Sequence, residues 1–377
     1  MPLPDRRARR VGPSSRTTLL GLVGLTAAAV LLGLLPTGSA GAQAPAATTA
    51  TTALNTAPNT AQNTGLNTGT STGLSSLSTD TSTAARKDPR RRLGLFVDDH
   101  MPVHGQGRRY RGIAKFAQAL WLSHDYYATR EIKGVARAYL RRAKDAGKTP
   151  ILVVYSLPNR DCGGWSSGGA SGKRPYKRWV SKLAEGIKGS KPLLVLEPDA
   201  LPFYGQHSCE GTKPWPELMR FATKRLSAAG AWVYLDAGHS GWTPYKKRAR
   251  LLKRAGVQYA RGFSTNVSNF RPTGDEKRYA RFLVRRLKAL GVTGVHYVVD
   301  TSRNGAKDPV DGDVINPTWA RIGAGPRLLF RRAFDGRLWV KHPGESDGEV
   351  NGGNASGSWC DLLADRLMGR SKVRNYC

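Results

Sequence analysis

From Leu93 onward the chain repeats one pattern, a short apolar run that ends in polar residues. Eight such runs lie at 94–98, 119–123, 150–157, 193–199, 232–238, 261–267, 295–302 and 337–343. Most are continuous rather than alternating, as strands buried on both faces of a parallel sheet must be. Between them the apolar spacing predicts helices over about 131–146 and 175–188, one beginning at Pro216-Glu217, and one over 276–290 with Phe282, Leu283 and Leu287 on one stripe. Eight strands alternating with helices predict an α/β fold, either a (β/α) barrel with parallel central strands or a doubly wound open sheet. The polar ends decide between them. Asp98, Ser123, Arg160-Asp161, Glu197 to Asp199, Asp236 to His239, Asn266, Asp300 to Arg303 and Lys341 to Asp347 close nearly every run. A barrel collects such groups at its C-terminal rim, whereas an open sheet needs them only at its switch point. The barrel is the expected fold.

Upstream the sequence is of another kind. Arg6, Arg7, Arg9, Arg10 and Arg16 precede the apolar run Leu19–Leu35, and Ala40-Gly41-Ala42 fits a small-residue cleavage site, so residues 1–42 read as an export signal. An uncleaved anchor is the alternative, since the run falls just short of the roughly 20 residues that span a bilayer. Residues 43–88 are rich in Thr, Ala, Asn and Ser and hold the loose repeat NTAPNTAQNTGLNTG. Such a stretch buries too little apolar surface to fold and reads as a low-complexity linker. Residues 89–377 are the expected folded domain, and the expected location is secreted or extracellular.

With 40% apolar residues the chain can build a large core, and its 4 cysteines are too few for a disulfide-dense scaffold. No HxH or HExxH pair points to a metal hydrolase, no GxSxG elbow to acyl transfer, and no Walker or GxGxxG loop to a nucleotide. Neither a metal nor a cofactor is expected. The rim instead offers carboxylates beside tryptophans, with His239 as the one relevant histidine. That set suits glycosidic bond cleavage, because carboxyl groups supply acid and base while indoles stack on the C–H faces of sugars. Trp121, Trp165, Trp242, Trp319 and Trp339 are the candidate platforms, and Trp339, inside an apolar run, reads better as core. Asp199, ending the apolar stretch LLVLEPD, should be desolvated and hold its proton near neutral pH. A plain capping Asp is the alternative there.

Six blocks in order then carry a resemblance: YSLPNRDCGGWSSGG (155–169), LLVLEPDAL (193–201), VYLDAGHSGW (233–242), STNVSNF (264–270), YVVDTSRNG (297–305) and LWVKHPGESDG (338–348). Together they resemble glycoside hydrolase family 6, whose members are inverting β-1,4-glucanases, both endoglucanases and cellobiohydrolases, on a distorted, TIM-like barrel. The resemblance implies Asp199 as catalytic acid and Asp161 as the second aspartate that tunes it and helps order water. It implies Asp347 as the candidate base, with a proton relay through water to Asp161 as the alternative. An ion pair with the adjacent Arg160 is the plainer reading of Asp161. Tyr155 matches a tyrosine that presses on the distorted sugar, Ser167 a mobile-loop serine that positions water, and Asp236 a structural or charge-tuning aspartate. His239, Trp242, Asn266, Trp319, Lys341 and Glu345 resemble sugar contacts. Arg303 is expected to pair with a rim carboxylate such as Asp347.

The chain departs from the family where the first block usually reads YDLPDRDC, since Ser156 and Asn159 replace two acids. Cys162 and Cys209 match the family's first disulfide; Cys360 and Cys377 are expected to bridge each other in place of the second. No long insertion separates Asp161 from Asp199 or Arg303 from Asp347. An open cleft and internal cleavage, as by an endo-β-1,4-glucanase, are therefore expected, with a cellobiohydrolase or a non-hydrolysing β-glucan-binding relative as alternatives. The charge is unusual, 59 Lys and Arg against 27 Asp and Glu for a formal net of +32. Many cations fall on expected helices, at Arg137, Arg141, Arg142, Lys144, Lys177, Arg178, Arg285, Arg286 and Lys288, and read as a solvated outer face. Electrostatic association with an anionic cell envelope is the sharper reading. Nucleic acid, for which no recognition motif is present, is not expected.

Overall fold

A computed structural model describes residues 88–307, 310 and 312–377. The expected export signal, 1–42, and all but the last residue of the expected linker, 43–88, lie outside the described residues. One sheet holds eight strands: β1 (Leu120–Leu122), β2 (Ile151–Val154), β3 (Leu193–Leu196), β4 (Trp232–Asp236), β5 (Gly262–Thr265), β6 (His296–Asp300), β7 (Arg327–Arg331) and β8 (Phe334–Leu338). β1 to β6 pair parallel in sequence order, β8 joins β6 in parallel, and β7 lies antiparallel on β8. Helices α1 (Ile132–Asp145), α2 (Lys173–Ile187), α3 (Trp215–Ala228), α4 (Tyr245–Arg254) and α5 (Thr273–Ala289) follow β1 to β5 in turn, and α6 (Asp361–Leu367) comes last. The sheet curls until Ala119 N–H donates to the Trp339 carbonyl at 3.1 Å and the Trp121 indole N–H donates to the Val340 carbonyl at 2.8 Å. These two bonds bring the segments flanking β1 and β8 together, giving the distorted α/β barrel that the pattern of runs implies.

Burial explains why the runs are continuous. Ile151, Val153, Leu193, Val195, Tyr234, Val298 and Leu338 point into the barrel interior. Their neighbours Leu152, Val154, Leu194, Leu196, Val233, Leu235 and Val299 point the other way, into a second layer shared with the helices. Each such side chain contributes about 1.5–3 kcal/mol on burial, so no position along β2 or β3 tolerates a polar residue. Polar residues appear only where the strand leaves the sheet, which is why the rim was readable.

Two expectations need correction. The run 94–98 is not a strand, since only Leu95 pairs, with Thr149 just ahead of β2. β1 already occupies that edge of β2. Its Asp98 is held by Arg142 at 2.7 Å and takes no part in the rim. The run 337–343 begins late: β8 starts at Phe334 and is the second arm of a hairpin with β7. That hairpin escaped notice because it turns at Arg332 (φ 55°) without the glycine or asparagine that marks such turns. α4 and α6 were missed as well, α4 because five of its ten residues are exposed cations.

Two disulfides close the described chain, Cys162–Cys209 with a separation of 47 residues and Cys360–Cys377 with one of 17. The first ties the loop after β2 to the loop after β3. Loop-closure entropy values that restraint at about 4 kcal/mol. Replacing Cys162 and Cys209 with serine should lower the urea unfolding free energy by roughly 2–4 kcal/mol; a double variant as stable as its parent would contradict this.

Candidate active site

The buried strands deliver their polar ends through strained turns. Asp161 after β2, Glu197 and Asp199 after β3 and Asn266 after β5 all take left-handed backbone, with φ of 60°, 51°, 63° and 64°. Non-glycine residues there store of order 1–3 kcal/mol each, and such strain gathers at functional sites. Glu197 braces the turn from inside. Its carboxylate accepts the N–H groups of Ser156 and Leu157 at 2.9 and 3.1 Å and the Tyr176 hydroxyl at 2.9 Å, and burial pushes its pKa up to about 7.

Asp199 and Asp236 share the desolvated end of β3 and β4. The Asp199 N–H donates to Asp236 Oδ2 at 2.9 Å, joined there by the Gly238 N–H at 3.1 Å, while the Ser264 hydroxyl donates to Oδ1 at 3.2 Å. Burial first, then the charges of Asp236 and Asp161, push the Asp199 carboxyl well above the ordinary carboxylate range, with Asp347 adding to them against the buried Arg248. Burial raises Asp236 too, opposed by its hydrogen bonds and by Arg248. Three donors stabilise the charge of Asp236, so it ionises first and Asp199 keeps the proton.

Asp161 lies on a loop wrapped around its own carboxylate. Its Oδ2 accepts the Ser166 N–H at 2.7 Å, while Oδ1 accepts no hydrogen bond among the described residues. Burial raises its pKa over the opposing effects of Ser166 and Arg160. The alternative reading of Asp161, an ion pair with Arg160, is not formed. Arg160 turns inward beneath the Tyr155 ring, at 4.6 Å from its centroid, and pairs with Asp125 at 2.7 Å. Its guanidinium also donates to the carbonyls of Tyr155, Ser166 and Ser167 at 2.7, 2.8 and 3.2 Å. Asp125 in turn accepts the Gly169 N–H at 3.0 Å. Gly169 has no substitute here, because a Cβ would fall 1.9 Å from the Leu157 carbonyl oxygen. The loop tip reaches across the rim: Trp165 lies against Gly348, and the Ser166 and Ser356 hydroxyls are 2.7 Å apart.

Asp347 is in the opposite electrostatic condition. Arg303 Nη1 donates to its Oδ2 at 2.6 Å, Lys341 Nζ lies 3.2 Å from Oδ1, and the Asn316 N–H donates to Oδ2 at 3.3 Å. Burial alone would raise this carboxyl, but Arg303 and Lys341 hold it below the usual range. It stays ionised. Asn316 Oδ1 completes the clamp by accepting the Asp347 N–H at 2.8 Å.

Other candidates divide into two groups. Tyr155 stands edge-on to Trp121 at 5.5 Å, and burial with the nearby charge of Asp161 keeps its hydroxyl protonated. His239 and Trp242 pack at 5.3 Å, Trp242 rests on Phe203 at 5.0 Å, and Ser167 is exposed on the Asp161 loop. Asn266 and Glu345 already hold bonds to neighbouring residues, and Trp319 is held by ring packing. Asn266 donates to the Asp300 carbonyl at 2.9 Å and accepts the Arg271 N–H at 2.9 Å, which makes it a loop brace. Glu345 is bound to His342 at 2.7 Å, and Trp319 packs on Phe270 at 5.4 Å. Asp125, Arg248 and Asn316 were not foreseen. Nothing in their local sequence sets them apart, and for Asp125 the one available signal was its place just after a strand end.

The model of the family described as Glycosyl hydrolases family 6 matches residues 102–361. Endoglucanase A of Cellulomonas fimi is 42% identical over 253 residues, covering 67% of this chain and 54% of that protein. Endoglucanase A of Thermobispora bispora is 36% identical over 248 residues, covering 63% and 52%. The chain thus spans about half the length of these relatives. Among solved structures, the endoglucanase Cel6 of Mycobacterium tuberculosis, in complex with methyl-cellobiosyl-4-deoxy-4-thio-β-D-cellobioside, superposes with a TM-score of 0.69 at 33% identity, covering 74% of this chain and 98% of that one.

The Arg160–Asp125 clamp makes its own prediction. In Asp125→Asn the amides of 163–169 should exchange with solvent about tenfold faster, equivalent to one lost charged hydrogen bond, while the strand amides are unchanged. Equal loop exchange in parent and variant would show that other contacts hold the loop.

Proposed function

The chain belongs to glycosyl hydrolases family 6, and on that premise we propose that it hydrolyses internal β-1,4-glucosidic bonds of a cellulose-like glucan, with inversion. The observation that carries this reading is the convergence of carboxyl groups in opposite protonation states, Asp199 holding a proton beside Asp161 and Asp347 held ionised. Asp199 gives its proton to the glycosidic oxygen as that bond breaks. Water adds to the anomeric carbon from the opposite face and releases an α-configured reducing end.

The water's proton needs an acceptor. Asp347 has both oxygens engaged by Arg303, Lys341 and Asn316, which weakens it as a base. Asp161 has a raised proton affinity and an Oδ1 that accepts no hydrogen bond among the described residues. We therefore assign the proton to Asp161 through water, and to Asp347 the role of a fixed negative charge facing the positive charge that grows on the sugar ring. Trp121, Tyr155 and Trp242 form the apolar wall against which the rings lie. The two disulfides fit work in an oxidising space outside the cytosol.

A second reading is exo-acting release of cellobiose. Its support is the contact of Trp165 and Ser166 with Gly348 and Ser356, where short loops meet across the rim. Internal cleavage is preferred because the relatives named endoglucanase are the more similar ones, at 42% and 36% identity, against 30% for those named cellobiohydrolase.

Two measurements test the reading. Viscosity of carboxymethylcellulose should fall steeply before much reducing sugar appears, and Asp199→Ala should lose activity by about 10²–10⁴-fold. Cellobiose alone from the earliest time points would favour the exo reading, and equal inertness of parent and variant would leave only glucan binding. The negative charge of Asp161 helps to hold the Asp199 proton. Asp161→Asn should therefore move the alkaline limb of the remaining activity to lower pH, whereas an unmoved limb would uncouple the two groups.

A further inference from the structure

The mechanism uses the barrel rim and leaves the outer wall unexplained. α4 reads YKKRARLLKR and contains no acidic residue, and of its cations Arg248 alone is buried. Tyr245 contacts Tyr279 and Phe282, with ring centroids 4.8 and 6.1 Å apart, and so sets α4 against α5. Lys246 and Arg250 stand four residues apart on α4, Arg281 and Arg285 likewise on α5, and Lys247 and Arg286 lie beside them. All six are exposed, and among the described residues none pairs with a carboxylate. The acids nearby are already engaged: Glu217 by Arg254 at 3.0 Å, Asp275 by Arg278, and Glu276 by the Ser240 N–H inside the fold.

Like charges four residues apart on a helix repel. A face of this kind lowers its own energy by binding a polyanion and releasing small ions. α1 and α2 also carry exposed arginines four residues apart, Arg137 with Arg141 and Arg174 with Arg178, but there Glu185 bridges the two helices through Lys133 and also holds Lys182, both at 3.0 Å.

We propose that the α4–α5 face binds an anionic envelope polymer built of repeating phosphodiesters, holding the protein at a cell surface with its rim free. This goes beyond the hydrolase reading and does not rest on it. Charge without an aromatic platform favours such a polymer over nucleic acid, whose single strands are held by stacking on exposed rings. Tyr259, the exposed ring beside this face, is covered by Lys224 at 4.4 Å and Arg220 at 5.5 Å. The disulfides fit an oxidising space, where envelope polymers are the standing polyanions. Lysine and arginine keep their charge to about pH 10, so the attraction is set by salt rather than by pH.

The test is binding of the full chain to immobilised poly(glycerol phosphate), with single-stranded DNA of random sequence as the comparison, across rising sodium chloride. Affinity for poly(glycerol phosphate) should fall by about tenfold or more between 50 and 200 mM salt. The triple variant K246E/K247E/R250E should bind at least tenfold more weakly, with cello-oligosaccharide turnover unchanged. R281Q/R285Q/R286Q removes charge from the same face without reversing it and should weaken binding several-fold, so the outcome does not hang on the folding of one variant. Parent-like binding by both variants overturns the proposal, as does tighter binding to DNA at equal phosphate concentration. Binding is read without turnover, so a protein that binds but hydrolyses nothing refutes the hydrolase reading alone.

Discussion

Two carboxyl groups at the buried ends of neighbouring strands cannot both ionise unless each is stabilised, and here the stabilisation goes mainly to one. Asp236 receives the N–H of Asp199, the N–H of Gly238 and the Ser264 hydroxyl. Asp199 is left with burial and with negative neighbours. The bond from the Asp199 backbone to the Asp236 side chain does two things together. It fixes the left-handed turn that aims Asp199 at the rim, and it keeps a charge close enough to hold the Asp199 proton.

The rest of the site extends that arrangement across loops which no single strand could position. Cys162–Cys209 joins the loop of Asp161 to the loop beyond Asp199, Arg160 fills the space beneath it, and Asp125 neutralises Arg160. On the far side Arg303, Lys341 and Asn316 grip Asp347. One aspartate is therefore kept neutral by burial and repulsion, and another kept charged by two cations. Carboxyl groups of one chemical type acquire different tasks from their surroundings.

Most of the barrel was legible because burial on both faces leaves a long apolar run with a polar end, and β2, β3 and β4 show it plainly. The hairpin of β7 and β8 was not, because β7 is half-exposed and its turn lacks the usual residues. The aspartates were legible from strand ends and from ordered sequence blocks. Their partners were not: Arg248 hides among the solvated cations of α4, and Asn316 lies in a loop distant in sequence from the Asp347 it holds. Sequence also offered Asn266 and Glu345 as sugar contacts, and only the structure shows the hydrogen bonds that both already hold, to Asp300 and His342. A polar side chain at a rim is readable from sequence; whether it is already engaged is not.

The central claim is that the proton on Asp199 cleaves a glucan by direct displacement at the anomeric carbon. Proton NMR of cellohexaose during hydrolysis tests it in one experiment, because the first-formed reducing ends show their configuration before mutarotation. The account predicts α-configured new ends, with none formed by Asp199→Ala. New ends in the β configuration, or the same products from the variant, would contradict it.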